Sequence, residues 1–195
     1  TYVLKDRQLD FLVINHMEPD HCANIEEILR RYPNVKVIGN AKTFQYFRQY
    51  YTMDMSDNYF EVKEGQEVSL GKHTLRFYMA PMVHWPEVMV TYETSQGILF
   101  SADAFGAFGA ISGNLFADQV EYDSFYLDEA RRYYTNIVGR YGNQVQALFK
   151  KLFGLDIKMI CSLHGHIWRG DMIPYIMDKY NKWSTYQPEK KGVVL

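Results

Sequence analysis

Four short apolar runs in this chain each end on a side chain that can hold a metal, and each then breaks at proline or glycine. Phe11-Leu12-Val13-Ile14 opens onto His16-Met17-Glu18-Pro19-Asp20-His21. Thr74-Leu75-Arg76-Phe77-Tyr78 precedes Ala80-Pro81-Met82-Val83-His84-Trp85-Pro86. Ile98-Leu99-Phe100-Ser101-Ala102 ends on Asp103, and Met159-Ile160-Cys161-Ser162-Leu163 ends on His164-Gly165. A strand is stiff, and the loop beyond its C-terminal end is free to fold around a ligand. Alternate residues of an extended segment share a side. His16 and Glu18 can therefore reach one ion, while Asp20 and His21, past the turn at Pro19, can reach a second.

Strands and helices alternate between these runs. Strands are expected at 10–14, 36–38, 60–63, 67–70, 74–78, 88–92, 97–100 and 158–162. The turns at Glu64-Gly65, Gly71-Lys72 and Glu93-Thr94-Ser95-Gln96 read as hairpin signals, including one that would pair 60–63 with 67–70. Helices are expected at 24–32, where Ile25, Ile28 and Leu29 recur at helical spacing up to Pro33, and at 41–51, 123–150 and 173–183, the third broken near Gly142. Residues 1–9 read as a weakly defined lead-in, the end of a helix. Two sets of antiparallel strands with helices outside make an αββα sandwich of the α/β (α+β) class, with the ligand residues at one edge.

The chain has 195 residues and 47% hydrophobic content, enough to bury a substantial core. A formal charge of −2 gives no electrostatic case for nucleic acid or an anionic membrane surface. No apolar stretch is long enough to span a bilayer, and the first residues lack a signal-peptide pattern. Two cysteines, Cys22 and Cys161, make no disulfide framework, which suits a reducing cytoplasm, and both read as small buried residues.

The blocks His-x-Glu-x-Asp-His, Pro-Met-Val-His-Trp-Pro, Phe-Ser-x-Asp-Ala-Phe-Gly and Ser-x-His-Gly-x-Ile-Trp-Arg occur in that order between residues 16 and 169. In this the chain resembles the metallo-β-lactamase-like domain of flavodiiron proteins. Residues 1–185 would be that domain, and 186–195 resemble the linker into, and the start of, a flavodoxin-like domain. The family domain carries further strands ahead of the His16 strand. The chain is therefore expected to be a fragment, to have lost segments, or to be completed by a partner, and to be weakly stable alone.

Carried over residue by residue, the resemblance implies one iron held by His16, Glu18 and His84, a second held by Asp20, His21 and His164, and Asp103 bridging them. It implies reduction of dioxygen to water, of nitric oxide to nitrous oxide, or both. The electrons would come from FMN. This chain has no Gly-rich phosphate loop of its own, so the flavin would come from a following flavodoxin domain, and the resemblance implies that it is the opposite subunit's in a head-to-tail homodimer. Rubredoxin, a flavoenzyme or another small carrier would be the external donor. His84, flanked by Trp85 and Pro86, is a ligand that water can displace.

Zinc hydrolases of the same superfamily carry histidine where Glu18 stands, so a dinuclear zinc hydrolase is the first rival. A non-catalytic scaffold with a decayed site is the second, although all seven ligand positions are filled. His166 matches no ligand position and reads as partly exposed, and His73 as plain surface. The chain also holds 16 tyrosines and 12 phenylalanines. Most would be packing, but Trp85, Phe105 and Trp168, each within four residues of a ligand, are candidates for the wall of a gas pocket. A tyrosine near the metals could donate a proton, and the sequence does not say which.

Overall fold

The computed structural model describes residues 2–188. The chain runs β1 (Phe11–Val13), α1 (Pro19–Cys22), α2 (Ile25–Arg31), β2 (Lys36–Gly39), α3 (Ala41–Tyr50), β3 (Tyr59–Glu61), β4 (Glu67–Ser69), β5 (Thr74–Met79), β6 (Met89–Glu93) and β7 (Ile98–Phe100). It continues through α4 (Tyr122–Phe125), α5 (Leu127–Tyr133), α6 (Gly142–Leu152), β8 (Met159–Cys161), β9 (Trp168–Arg169) and α7 (Met172–Ser184).

The strands form two sheets, ordered β1-β2-β3 and β4-β5-β6-β7-β8-β9. Side-chain alternation along single strands shows how they stack. Val37 faces a cluster with Ile25, Leu29, Phe44 and Phe47 of α2 and α3, whereas the next residue, Ile38, joins Val62, Val68, Leu75, Phe77 and Met89 between the sheets. On β5, Phe77 faces that inter-sheet layer, and Tyr78 faces the cluster shared with Tyr134, Leu148, Ile176 and Tyr180. The order is helices, sheet, sheet, helices: the expected αββα sandwich. No helix among the described residues is long and apolar enough to cross a membrane.

The strand pairings differ from expectation in the first sheet. Its strands are parallel, Leu12 opposite Val37 and Ile38 opposite Phe60. The 60–63 segment does not pair with 67–70. Glu64-Gly65 instead carries the chain from one sheet to the other, with Val62 N donating to Gly39 O in the first and Gly65 N donating to Phe77 O in the second. The turn residues mark a reversal, but hydrogen-bond partners elsewhere in the chain choose the sheet. The β4–β5 and β6–β7 hairpins form as expected. Residues 2–6 are a turn and not a helix end, and the expected 123–150 helix is broken into α4, α5, a π turn over Tyr134–Val138, a 3₁₀ turn over Gly139–Tyr141, and α6. Of the linker and following-domain start expected at 186–195, residues 189–195 lie outside the described residues.

Helix α3 is fixed firmly at its start. Asn40 Oδ1 accepts from Lys42 N (3.0 Å) and Thr43 N (3.1 Å), while Thr43 Oγ1 accepts from Asn40 N, a reciprocal capping box. The amide of Asn40 also donates to Glu87 O at 2.6 Å, which ties α3 to the loop carrying His84.

Candidate metal centre

Each ligand candidate is delivered by a strand end, and local backbone aims it. Beyond β1, Asn15 is tied to the second sheet, its Oδ1 accepting from Thr91 Oγ1 (2.7 Å) and its carbonyl from Met89 N (3.0 Å), so His16 next to it enters the gap between the sheets. Glu18 is still extended (φ −62°, ψ 141°), and Pro19 then starts the single turn α1, which carries Asp20 and His21. That turn was expected only as a bend. His84 lies in the loop between β5 and β6, Asp103 follows β7, and His164 follows β8. Met82 (φ 66°), Ala102 (φ 52°) and Phe105 (φ 69°) hold left-handed backbone near His84 and Asp103, a costly conformation for residues other than glycine that packing here enforces. Beside His164 the same need is met by Gly165 (φ 80°), where an added Cβ would lie 3.0 Å from Ala107 N.

All seven residues come together in two groups: His16, Glu18, His84 and Asp103 in one, Asp20, His21 and His164 in the other, with the ligating atoms of each within 4.8 Å of one another. In the first, Glu18 Oε2 lies 3.3 Å from His16 Nε2 and 3.2 Å from His84 Nε2, and Asp103 Oδ2 lies 2.9 Å from His84 Nε2. In the second, His21 Nε2 and His164 Nε2 are 3.0 Å apart, and Asp20 Oδ2 is 3.4 and 3.3 Å from them. Asp103 Oδ1 turns to this second group, 3.2 Å from His21 Nε2 and 3.8 Å from His164 Nε2. One carboxylate thus presents an oxygen to each group. His84 points inward.

This donor set fits two ions. Metal–ligand bonds of about 2.1 Å set neighbouring ligand atoms about 3.0 Å apart around an octahedral ion and about 3.4 Å around a tetrahedral one. The separations above fall around those values. Asp103 Oδ1 is buried and has no hydrogen bond. Among the described residues, Glu18, Asp20 and Asp103 form ion pairs with histidines alone. Three carboxylates converge here, one of them 1% exposed, and two bound cations would compensate their charge.

Electrostatics show the same tension. Burial pushes the Asp103 carboxyl up, but the imidazoles of His21 and His84 beside it outweigh this and hold the group well below the usual carboxylate range. Burial lowers the His21 and His84 imidazoles, and the Asp103 carboxylate more than reverses this, leaving both raised.

One residue that the sequence reading passed over supports the site. The Glu87 side chain is fully buried, and its Oε1 accepts from His16 Nδ1 (2.7 Å) and Met17 N (2.9 Å). That bond fixes the tautomer of His16 and leaves the Nε2 lone pair facing Glu18 and Asp103. The sequence marks it only as an acid three residues past His84, at the edge of the apolar run Val88-Met89-Val90. Glu87→Leu is expected to lower metal affinity about 10–100-fold, and Glu87→Gln, which still accepts, by less. Chelator competition measures both, and equal affinities for Leu and wild type would remove Glu87 from this role.

Tyr133 lies beside the site, buried, its ring 5.3 Å from that of His164. Burial first, then the charge of Asp103, drive its phenol pKa far up, so the proton stays on. Gly106 makes room for it: a Cβ there would lie 2.9 Å from Asp103 O and 3.0 Å from the Tyr133 ring. Of the pocket-wall candidates, Trp85 stands edge-on to His16 at 5.3 Å, whereas Phe105 and Trp168 are packed into the helix-side core, Trp168 Nε1 donating to Phe105 O.

His166 corrects an expectation. It is 1% exposed, enclosed by the rings of Tyr126 (4.4 Å) and Tyr122 (5.8 Å). The turn at Gly165 sends it inward, opposite in direction to half-exposed His164. His73 is on the surface and pairs with Glu93 at 3.2 Å. Cys22 is buried as expected, while Cys161 is only partly so.

A family model described as ODP family beta lactamase matches residues 1–165. A nitric oxide reductase of Moorella thermoacetica is 37% identical over 96% of this chain and 46% of its own length. Among solved structures, the flavodiiron protein from Giardia intestinalis superposes with a TM-score of 0.86 at 29% identity, covering 91% of this chain and 43% of that one. The rubredoxin oxygen:oxidoreductase from Desulfovibrio gigas gives 0.81 at 31%, covering 90% and 44%. The chain spans about half the length of these relatives.

Proposed function

The chain belongs to the ODP beta-lactamase family, and from that premise we propose that it is the diiron domain of an oxidoreductase that reduces dioxygen to water, nitric oxide to nitrous oxide, or both. The observation that carries this reading is Asp103, a buried carboxylate with one oxygen toward each group of ligands. His16, Glu18 and His84 would hold one iron, Asp20, His21 and His164 the other, and Asp103 would bridge them. Bound there, a ferrous pair would supply two electrons to a diatomic molecule.

The chain's own residues would do the rest. Three carboxylates balance most of the charge of two divalent ions, and the mix of imidazole and hard oxygen donors suits ferrous iron. Tyr133, buried with its ring 5.3 Å from that of His164 and its Oη without a partner, would donate a hydrogen bond toward reduced substrate. Trp85, against His16 and His84, would screen that side from water. The names of the relatives, a nitric oxide reductase and a rubredoxin oxygen:oxidoreductase, support the substrate class and a rubredoxin-type donor. Electrons would reach the irons through FMN on a flavodoxin-like domain of a second subunit.

Single turnover tests this. The iron-loaded chain, reduced and freed of reductant under anaerobic conditions, is mixed with nitric oxide. One nitrous oxide per iron pair is expected, since two nitric oxide molecules, two electrons and two protons give one nitrous oxide and one water. No nitrous oxide, together with no dioxygen consumption, would sink the proposal.

A further inference from the structure

We propose that Trp85, Tyr46 and Tyr50 form an electron relay that drains oxidising equivalents from the metal centre to the protein surface. The inference rests on the diiron reading above and goes beyond it. The Trp85 ring lies 5.3 Å from that of His16 and 6.1 Å from that of His84. Tyr46 stands 6.1 Å from Trp85, and Tyr50 a further 6.1 Å from Tyr46. The two tyrosines are four residues apart on α3 and so share one face of it. Tyr50 is 44% exposed. Three ring-to-ring steps therefore join a proposed iron ligand to solvent.

Indole and phenol are among the side chains most readily oxidised by one electron, and tunnelling weakens so steeply with distance that short hops outrun one long jump. Packing alone explains the buried aromatic cluster on the helix side, around Tyr134, Tyr180 and Trp183. It explains less well a row that leaves a ligand and climbs outward until its last ring is in water. Another ring beside a proposed ligand, Tyr133, packs on Phe108 at 4.9 Å, and phenylalanine is far harder to oxidise. The row is also held in place: the Asn40 amide at the start of α3 bonds Glu87 O, two residues beyond Trp85.

The need arises when dioxygen meets the ferrous pair before enough electrons are at hand, leaving the centre oxidising. One electron then passes from Trp85 to the centre, Tyr46 refills Trp85, and Tyr50 refills Tyr46. Tyr50 releases its phenolic proton to water and becomes a neutral phenoxyl. A small-molecule thiol restores it by giving up a hydrogen atom, and two thiyl radicals couple to a disulfide. Each cycle delivers one electron to the centre and one proton to solvent.

The test starts from the iron-reconstituted chain, its iron counted first. Dioxygen is added to the ferrous protein without a donor, samples are freeze-quenched for electron paramagnetic resonance, and oxidised residues are located by mass spectrometry. A tyrosyl radical on Tyr50 is expected, quenched by glutathione. Tyr46→Phe should cut that signal at least tenfold and move oxidation products to Trp85, while Tyr50→Phe should leave a longer-lived radical that glutathione reaches poorly. Two bound irons with no protein radical, or a Tyr50 radical unchanged in Tyr46→Phe, overturn the relay and leave the diiron reading standing. A chain that takes up no iron overturns both.

Discussion

Asp103→Asn is expected to lose at least one of the two metal ions and all turnover. Asparagine is nearly the same size, so the turn held by Ala102 and Phe105 survives. What changes is charge and donor number. Oδ1 and Oδ2 now face one group of ligands each, at 3.2 Å from His21 and 2.9 Å from His84. An amide offers one oxygen to one side and an NH₂ group to the other, and the NH₂ has no lone pair to give a cation. Affinity should fall more than the roughly 100-fold that marks the upper range for losing an outer-shell partner. Elemental analysis after gel filtration, beside single-turnover assays, measures this. Two retained ions with full activity would remove Asp103 as the bridge.

Glu18→His is expected to turn metal preference from iron toward zinc. Glu18 Oε2 sits between His16 and His84, at 3.3 and 3.2 Å, so the new imidazole would complete a three-histidine set. Such a set suits zinc, and replacing the hard carboxylate removes a negative charge that offsets iron as it is oxidised. The side chain reaches a partly open position, 32% exposed, which leaves room for the larger ring. With equimolar iron and zinc offered anaerobically, the bound ratio should move about tenfold or more toward zinc. An unchanged ratio would mean that Glu18 does not set the metal.

Much of this site was legible because its signals are local. His16, Glu18, Asp20 and His21 lie within six residues, and alternation along an extended segment separates the first pair from the second before any contact is known. His84, Asp103 and His164 each follow a strand end. Properties set by distant parts of the chain were not legible. Glu87 matters only because β1 and the loop after β5 meet, which puts its carboxylate 2.7 Å from His16. His166 looked partly exposed, yet the left-handed Gly165 turns it under Tyr122 and Tyr126. The Glu64-Gly65 turn was seen, but not that it changes sheets, because that choice belongs to Gly39 and Phe77. Tyr133 emerged from a crowd of similar rings only through its place beside His164 and Asp103.

The first measurement to make is metal stoichiometry: strip the chain with chelator, reload it anaerobically with excess ferrous iron, remove unbound metal, and count iron per chain. Two irons, falling to one or none in Asp103→Asn, is the result expected of a carboxylate-bridged pair built from His16, Glu18, His84, Asp20, His21 and His164. One iron or none in the wild-type chain would contradict it.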